Sequence, residues 1–257
     1  MTRPAIELDE LTKRYGETTA VSGLTTTVSE GSVYGFLGPN GAGKTTTMRM
    51  LTTLTRPTSG TASVAGHSIE NRESVTPHIG YLPEGPPIYD ELTGREQLRY
   101  VAGLRDLSRE ESHERIEAML DRFDLQDDAN KRISDYSKGM RQKVGVIQAV
   151  LHEPAVAFLD EPTSGLDPRA ARTMRDTIAE LADRDMTIFL STHILPVVDE
   201  LADTIGVLHG GKLVAEGDPE TLKSRAEAGE HASLEDAFLA VTQDRQEETE
   251  SKAQPSL

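Results

Sequence analysis

A glycine-rich segment carries the most specific chemical pattern in the chain. Residues 37–46 read LGPNGAGKTT, and Gly38, Gly43, Lys44 and Thr45 occupy the fixed positions of the phosphate-binding P-loop motif G-x4-G-K-T. Glycines let the backbone bring its N–H groups close to phosphate oxygens. The lysine can then reach the β- and γ-phosphates, and the threonine hydroxyl can bind Mg²⁺. The loop therefore predicts a nucleoside triphosphate site formed by Gly38, Pro39, Asn40, Gly41, Ala42, Gly43, Lys44, Thr45 and Thr46.

A second segment ends an apolar run with two carboxylates. Residues 156–161 read VAFLDE. A run this short and apolar is typical of a strand buried in a parallel sheet, which presents its site at the strands' C-terminal ends. Asp160 is predicted to face Mg²⁺ and Glu161 to act as the general base for an attacking water. The alternative is that both carboxylates only cap the turn before Pro162.

A third segment reads YSKGMRQ at residues 136–142 and opens a helical, apolar-rich run. Here the sequence resembles a known family, the ATP-binding subunits of ABC transporters, whose signature motif is usually LSGGQ. Ser137 and Gly139 match this motif, whereas Tyr136, Lys138 and Met140 differ. The resemblance implies that Ser137 and Gly139 contact ATP held by an opposite subunit, because a helix N-terminus is a natural anion site.

The remaining landmarks of that family follow in order. Tyr15 resembles the aromatic residue that stacks on adenine, although a lone tyrosine near a strand end is often a packing residue. Residues 164–167, SGLD, resemble the D-loop that lines the subunit interface, and Asp167 also has the position of a helix N-cap before a proline. His193 resembles the switch histidine that contacts the γ-phosphate.

One landmark departs from the family pattern. Glu84 ends the segment IGYLPE, where the family usually carries glutamine in its Q-loop. A carboxylate keeps an acceptor oxygen for Mg²⁺ or water but lacks the amide donor. Glu84, residues 140–142 and the segment 233–239 (SLEDAFL) together resemble the ATPase subunits of ABC-2-type transporters, which include drug, sodium, polysaccharide and lipid exporters. This resemblance implies a separate transmembrane permease subunit as partner.

The composition fits a chain without its own membrane anchor. It has no cysteine, which excludes disulfides and cysteine metal sites, and no apolar run approaches the roughly 18–20 residues that span a bilayer. The first ten residues, MTRPAIELDE, lack the layout of a signal peptide. We expect a soluble, cytoplasmic chain held at the inner face of the membrane through the permease.

The charge balance argues against a nucleic-acid ligand. The chain carries 43 acidic and 27 basic residues, a net charge of −16 that repels phosphate backbones. Only 8 of the basic residues are lysines and 19 are arginines. An acidic, lysine-poor surface favours a halophile, since concentrated cations screen self-repulsion. The alternative is an acidic mesophilic protein with a codon bias toward arginine.

The periodicity predicts the elements that must position these residues. Residues 1–35 read as short strands of an antiparallel flank, residues 86–151 as an inserted helical subdomain, and residues 156–213 as alternating strand and helix. The predicted fold class is an α/β P-loop NTPase with a RecA-like parallel sheet. One ATPase domain would span residues 1–241, and residues 242–257 are predicted to be disordered.

The function these patterns favour is ATP-driven transport. Two subunits, as a homodimer or heterodimer, would sandwich two ATP molecules and drive a permease by closing and opening. One alternative is a soluble ABC-type ATPase without a transport role; such proteins usually carry tandem cassettes or long coiled-coil insertions, which this sequence lacks. A nucleotide-binding regulator without turnover is disfavoured by the set Lys44, Asp160, Glu161 and His193. The transported substrate is not indicated.

Overall fold

The computed structural model describes residues 4–182 and 186–225, together with Glu235 and Phe238. The predicted disordered tail, residues 242–257, lies outside the described residues. The strands are β1 (Pro4–Tyr15), β2 (Thr18–Ser29), β3 (Val33–Leu37), β4 (Ser59–Val64), β5 (His67–Ser68), β6 (Ile79–Leu82), β7 (Val156–Asp160), β8 (Thr187–Thr192), β9 (Thr204–His209) and β10 (Lys212–Gly217). The α-helices are α1 (Lys44–Leu51), α2 (Arg72–Val75), α3 (Gly94–Leu104), α4 (Arg109–Arg122), α5 (Lys138–Val150), α6 (Pro168–Ala182), α7 (Leu195–Leu201) and α8 (Pro219–Arg225).

The larger sheet has the strand order β10-β9-β3-β8-β7-β6. Strands β9, β3, β8, β7 and β6 pair in parallel, and only the edge strand β10 runs antiparallel to its neighbour. All residues of β3, β7 and β8 are buried, as expected for central parallel strands covered on both faces. The parallel order brings the segments that follow β3, β6, β7 and β8 to one edge of the sheet.

The second sheet is antiparallel, with the order β2-β1-β4-β5. An antiparallel flank was predicted for residues 1–35, but the strands that form it differ from that prediction. Strand β3 belongs to the parallel sheet because it is apolar throughout, whereas β4 and β5, from residues 59–68, complete the flank. The segment 59–64 reads SGTASV, and its pairing with β1 depends on the fold rather than on an apolar pattern of its own.

Three helices, α3 to α5, connect β6 to β7. Both predicted capping boxes are present: Thr93 with Glu96 begins α3, and Ser108 with Glu111 begins α4. The predicted apolar face of α4 packs as core, with Ile116, Leu120 and Phe123 buried and Met119 half-buried. Helical structure begins at residue 94 rather than at residue 86, because the intervening residues form a proline-rich loop.

Among the described helices, none combines the length and the apolar character needed to cross a membrane.

Candidate functional site

The glycine-rich loop leaves β3 at Leu37 and enters α1 at Lys44. Gly43, immediately before the helix, has φ of 109°, a left-handed conformation that favours glycine. A methyl group on Gly43 would lie 2.5 Å from the carbonyl oxygen of Ala20, and one on Gly38 would collide with the carbonyl oxygen of Leu208. The loop is therefore packed so closely that its path requires glycine at both ends.

A cleft of about 360 Å³ opens in front of this loop. Residues from β2, from the loop, from α1 and from the segments that follow β6, β7 and β8 line it: Ala20, Pro39, Asn40, Gly41, Gly43, Lys44, Thr45, Thr46, Glu84, Glu161, Ser164 and His193. The structure thus brings most of the predicted site residues to one cavity. Gly38 and Ala42 belong to the loop but are covered and do not line the cleft.

The Lys44 side chain is held at the base of the cleft. It is 6% exposed, and its ammonium donates hydrogen bonds to the carbonyl oxygens of Gly38 at 2.7 Å and Pro39 at 3.3 Å. The same ammonium lies 3.4 Å from Oε1 of Glu161. The two buried charges therefore compensate each other, as buried ionic groups generally must.

Glu161 is fixed by contacts to the residues at the end of β8. Its backbone N–H donates to the carbonyl oxygen of Ser191 at 3.0 Å. Its Oε2 accepts from the hydroxyl of Thr192 at 3.2 Å, and its Oε1 lies 2.9 Å from Nδ1 of His193. Its φ of 52° is unusual for a residue with a side chain. Such backbone strain concentrates at functional sites.

Asp160 is the last residue of β7 and directly precedes Glu161 in the sequence. It is 1% exposed, and its Oδ1 accepts a hydrogen bond from the hydroxyl of Ser191. Its Oδ2 is buried and has no hydrogen-bond partner among the described residues. Burial and the nearby Asp160 carboxylate raise the pKa of Tyr81 to about 12. Asp160 does not line the cleft, but Glu161, the next residue, does. A buried carboxylate oxygen without a partner among the described residues fits the oxygen ligands that Mg²⁺ prefers.

Two predicted residues lie at the periphery. Glu84 is exposed on the loop after β6 and lines the cleft. Tyr15, at the end of β1, is 48% exposed and does not line the cleft; the Lys13 ammonium lies 5.0 Å from the centre of its ring. The ring is therefore available for stacking on its exposed side.

Ser137 and Gly139 lie outside the cleft of their own chain. Ser137 is the N-cap of α5, and its hydroxyl accepts from the backbone N–H of Met140 at 3.2 Å. Gly139 packs against the start of α6, where an added methyl group would lie 3.2 Å from Cβ of Ala170. Within one chain these residues do not reach the other predicted nucleotide contacts.

Sequence reasoning missed four residues of this site. Ser191 and Thr192 hold the two carboxylates, and Ala20 and Ser164 line the cleft. The polar pair that ends the apolar run TIFLST was a usable signal, because buried polar residues at a strand end need partners. Ser164 belongs to the segment 164–167 that resembles the D-loop. The small apolar side chain of Ala20 gives no sequence signal of a role in the site.

Residues 21–164 match the protein family described as ABC transporter. The chain is 41% identical over 225 residues to the daunorubicin resistance ATP-binding protein DrrA3 of Streptomyces coeruleorubidus, covering 87% of this chain and 71% of that protein. It is 40% identical over 238 residues to the bacitracin transport ATP-binding protein BcrA of Bacillus licheniformis, covering 92% of this chain and 77% of that protein.

The fold is also similar to a solved structure, described as the ATP-binding subunit of an ABC transporter. The TM-score is 0.83 at 31% sequence identity, and the match covers 92% of this chain and 99% of the other. The predicted α/β P-loop fold class is thereby confirmed.

Proposed function

The chain belongs to the ABC transporter family as an ATP-binding, ATP-hydrolysing subunit that uses Mg²⁺, and we propose that it powers an exporter of the ABC-2 type. One observation carries the catalytic part of this proposal. Lys44, Glu161 and His193, from three separate segments, converge on one cleft beside the glycine-rich loop. Such convergence of a cation, a base and a histidine suits hydrolysis of a phosphoanhydride.

We assign the roles within the cleft as follows. The loop residues 38–46 surround the phosphates, with Lys44 neutralising the β- and γ-phosphates. Glu161 accepts the proton of the attacking water. Its hydrogen bonds to Thr192 and His193 fix the carboxylate in place, which is the positioning that general-base catalysis requires. His193 uses Nδ1 toward Glu161 and keeps Nε2 for the γ-phosphate, while Tyr15 stacks on adenine.

Residues that would hold Mg²⁺ are Thr45, Asp160 and Glu84. The buried Oδ2 of Asp160, which has no hydrogen-bond partner in the described part of the chain, supports this assignment most directly. When bound, the ion neutralises charge on the phosphate oxygens during transfer. Glu84, which lines the same cleft, would contribute an acceptor oxygen.

The position of Ser137 and Gly139 supports a two-subunit arrangement. Ser137 caps α5 and Gly139 lies in its first turn, and neither lines the cleft of its own chain. We propose that they complete the ATP site of a facing subunit, in a homodimer or heterodimer. We also propose one ATPase domain over residues 1–241, in which the helical region 86–151 carries the signature segment and meets the permease.

The export assignment draws on the relatives. One is named for daunorubicin resistance and another for bacitracin transport. By analogy, a separate ABC-2-type membrane subunit would hold this chain at the inner face of the membrane. We also propose that the acidic, lysine-poor surface is an adaptation to a high-salt cytoplasm.

Nucleotide binding is tested by Lys44→Ala. Removing the ammonium takes away charge-assisted contacts to phosphate, so ATP affinity should fall by about 10–100-fold. Isothermal titration calorimetry with the purified chain would measure the ATP affinity. Lys131→Ala is the matched control, because Lys131 is exposed and pairs with Asp128 away from the cleft. Equal affinity of the parent and the Lys44→Ala variant would contradict the proposed site.

The transport role is tested by co-expression with a candidate membrane protein of about six spans, sought among the products of the neighbouring genes. We expect the chain to co-purify with it from detergent-solubilised membranes, and the membrane protein to change the rate of ATP hydrolysis. If the chain stays in the soluble fraction and its ATPase rate does not respond, the alternative of an ABC-type ATPase without a transport role is favoured.

A further inference from the structure

A second cavity lies in the helical region, between α3 and α4. Its volume is about 520 Å³, larger than that of the nucleotide cleft. The residues that line it are Arg99, Gly103, Leu107, Arg109, Ser112 and His113. None of them lines the nucleotide cleft, so this cavity is a separate feature that the roles proposed above leave unused.

Helical spacing brings basic side chains together at this cavity. Arg99 and Gly103 are four residues apart in α3, and Arg109 and His113 are four residues apart in α4, so each pair lies on one helix face. A methyl group added to Gly103 would have no neighbour within 4 Å, which shows that space opens on this side of α3. The two faces therefore line one cavity with two guanidinium groups and an imidazole.

The two arginines lack anionic partners. Arg99 and Arg109 are exposed, and their guanidinium groups make no ion pair or hydrogen bond within the described part of the chain. None of the described residues that line the cavity is acidic. In a chain of net charge −16, the cavity is thus a place where positive groups face solvent without a lining carboxylate.

Two carboxylates of α4 that flank these residues in sequence have partners of their own. Glu111 accepts a hydrogen bond from the backbone N–H of Ser108 at 3.1 Å, and Glu117 pairs with Arg95. Oε1 of Glu117 also lies 3.7 Å from Nδ1 of His113. This contact leaves Nε2 of the imidazole without a hydrogen bond among the described residues, and so available to a ligand.

We propose that this cavity is a binding site for a phosphate group, held by Arg99 and Arg109 with His113 beside them. A guanidinium presents its N–H donors in a planar fork that matches the oxygens of a phosphate. The Ser112 hydroxyl donates to the carbonyl oxygen of Ser108, so the charged groups supply the recognition. The same phosphate oxygens occur in soluble phosphate esters and in the headgroups of anionic lipids.

The same helix exposes apolar side chains next to the cavity. Tyr100 and Leu104 directly follow Arg99 and Gly103 in α3, and they are 46% and 65% exposed. A helix that presents basic and apolar side chains together is typical of segments that lie on a lipid surface. The surroundings of the cavity therefore favour a lipid headgroup as the source of the phosphate.

The first test titrates inorganic phosphate into an isotope-labelled Lys44→Ala chain, whose nucleotide cleft has lost its ammonium. Nuclear magnetic resonance follows the backbone amides of Gly103, Ser112 and His113. We expect these resonances to shift and to saturate, because phosphate occupies the cavity that they line. KCl at matched ionic strength is the control and should not shift them.

Three variants ask whether the cavity, rather than positive charge in general, binds the phosphate. Arg99→Ala and Arg109→Ala should each raise the half-saturating phosphate concentration about tenfold, because each removes a charge-assisted contact. Gly103→Leu should raise it as well, because its side chain extends into the open space without changing the charge. Arg172→Ala, which removes an exposed arginine of α6, is the matched control and should leave it unchanged. Urea unfolding of each variant shows that the fold is retained.

The second test identifies the source of the phosphate. The chain is sedimented with vesicles of phosphatidylcholine alone or of phosphatidylcholine mixed with phosphatidic acid. If the ligand is a lipid headgroup, the chain should bind only the mixed vesicles, and Arg99→Ala, Arg109→Ala and Gly103→Leu should each weaken that binding. The net charge of −16 otherwise repels an anionic surface, so such binding requires a local site. If the ligand is a soluble ester, inorganic phosphate should bind and neither kind of vesicle should.

Two results would overturn the proposal. The first is an absence of saturable shifts with inorganic phosphate together with an absence of binding to the mixed vesicles. The second is binding of either probe that survives Arg99→Ala, Arg109→Ala and Gly103→Leu, because the phosphate would then bind elsewhere. Vesicle binding that these variants abolish supports the proposal even where inorganic phosphate causes no shift, and it assigns the site to a lipid headgroup.

Discussion

At the residue scale, Glu161 is the best-supported side chain of the site. Its carboxylate contacts Lys44, Thr192 and His193, and its backbone is strained at φ of 52°. A left-handed backbone at a residue with a side chain costs about 1–3 kcal/mol and persists only where neighbours enforce it. Here the neighbours are the strand end of β8 and the lysine of the glycine-rich loop. The strained backbone therefore accompanies a carboxylate that lies beside Lys44 of the glycine-rich loop, where we propose that phosphate binds.

Glu84 gives a second residue-scale prediction. Glu84→Gln keeps the side-chain length and one acceptor oxygen, so ATP turnover should change little. Glu84→Ala removes the acceptor and should lower turnover more in the assembled transporter than in the isolated subunit, because this loop is proposed to link the cleft to the permease. The measurement is the ATPase rate of both variants with and without the membrane partner. An equal loss in both settings would restrict Glu84 to local metal geometry.

At the element scale, strand ends of the parallel sheet assemble the site, and this part could be predicted from sequence. Consecutive residues define the glycine-rich loop, and short apolar runs ending in polar residues define β7 and β8. The partners of these residues were harder to predict. Ser191 meets Asp160 because β8 lies beside β7 in register, and that register is set by the whole sheet. The flank strands β4 and β5 were missed for the same reason, since their pairing with β1 is non-local.

Packing between α5 and β6 gives a prediction at this scale. A methyl group on Gly80 in β6 would collide with the backbone of Ala149 in α5, which cannot move like a flexible side-chain tip. Gly80→Ala should therefore destabilise the fold by about 1–3 kcal/mol, measured by urea unfolding. Gly103→Ala in α3 is the matched control, because nothing lies within 4 Å of the added methyl group. In a helix that change should stabilise by about 0.5–1 kcal/mol. Two variants of equal stability would contradict the packing argument.

At the scale of the whole molecule, the net negative charge affects both the stability of the fold and the kind of ligand it can bind. The net charge of −16 destabilises the compact folded state through self-repulsion unless counterions screen it. The cleft combines the Lys44 ammonium and the backbone N–H groups of the glycine-rich loop with the carboxylates of Glu84 and Glu161, so cations and hydrogen-bond donors face the proposed anionic ligand at the loop. The chain can therefore bind ATP despite its overall sign, and the same overall sign disfavours nucleic acid.

The proposed adaptation to high salt predicts how stability depends on KCl. The melting temperature should keep rising from about 0.1 M to beyond about 1 M KCl, where the Debye length has already fallen from about 10 Å to about 3 Å. Thermal unfolding followed by circular dichroism measures it. A melting temperature that is flat or falling over this range would favour the mesophilic alternative and leave the ATPase assignment untouched.

ATP turnover by Glu161→Gln tests the central claim most directly. The amide has the shape of the carboxylate but cannot accept the proton of the attacking water, so the rate should fall by about 10²–10⁴-fold while ATP is still bound. Glu180→Gln is the matched control, because Glu180 is an exposed carboxylate that pairs with Arg122 at 3.4 Å, and its rate should equal the parent's. Hydrolysis by Glu161→Gln at the parent's rate would show that Glu161 is not the base and that the site has been assigned wrongly.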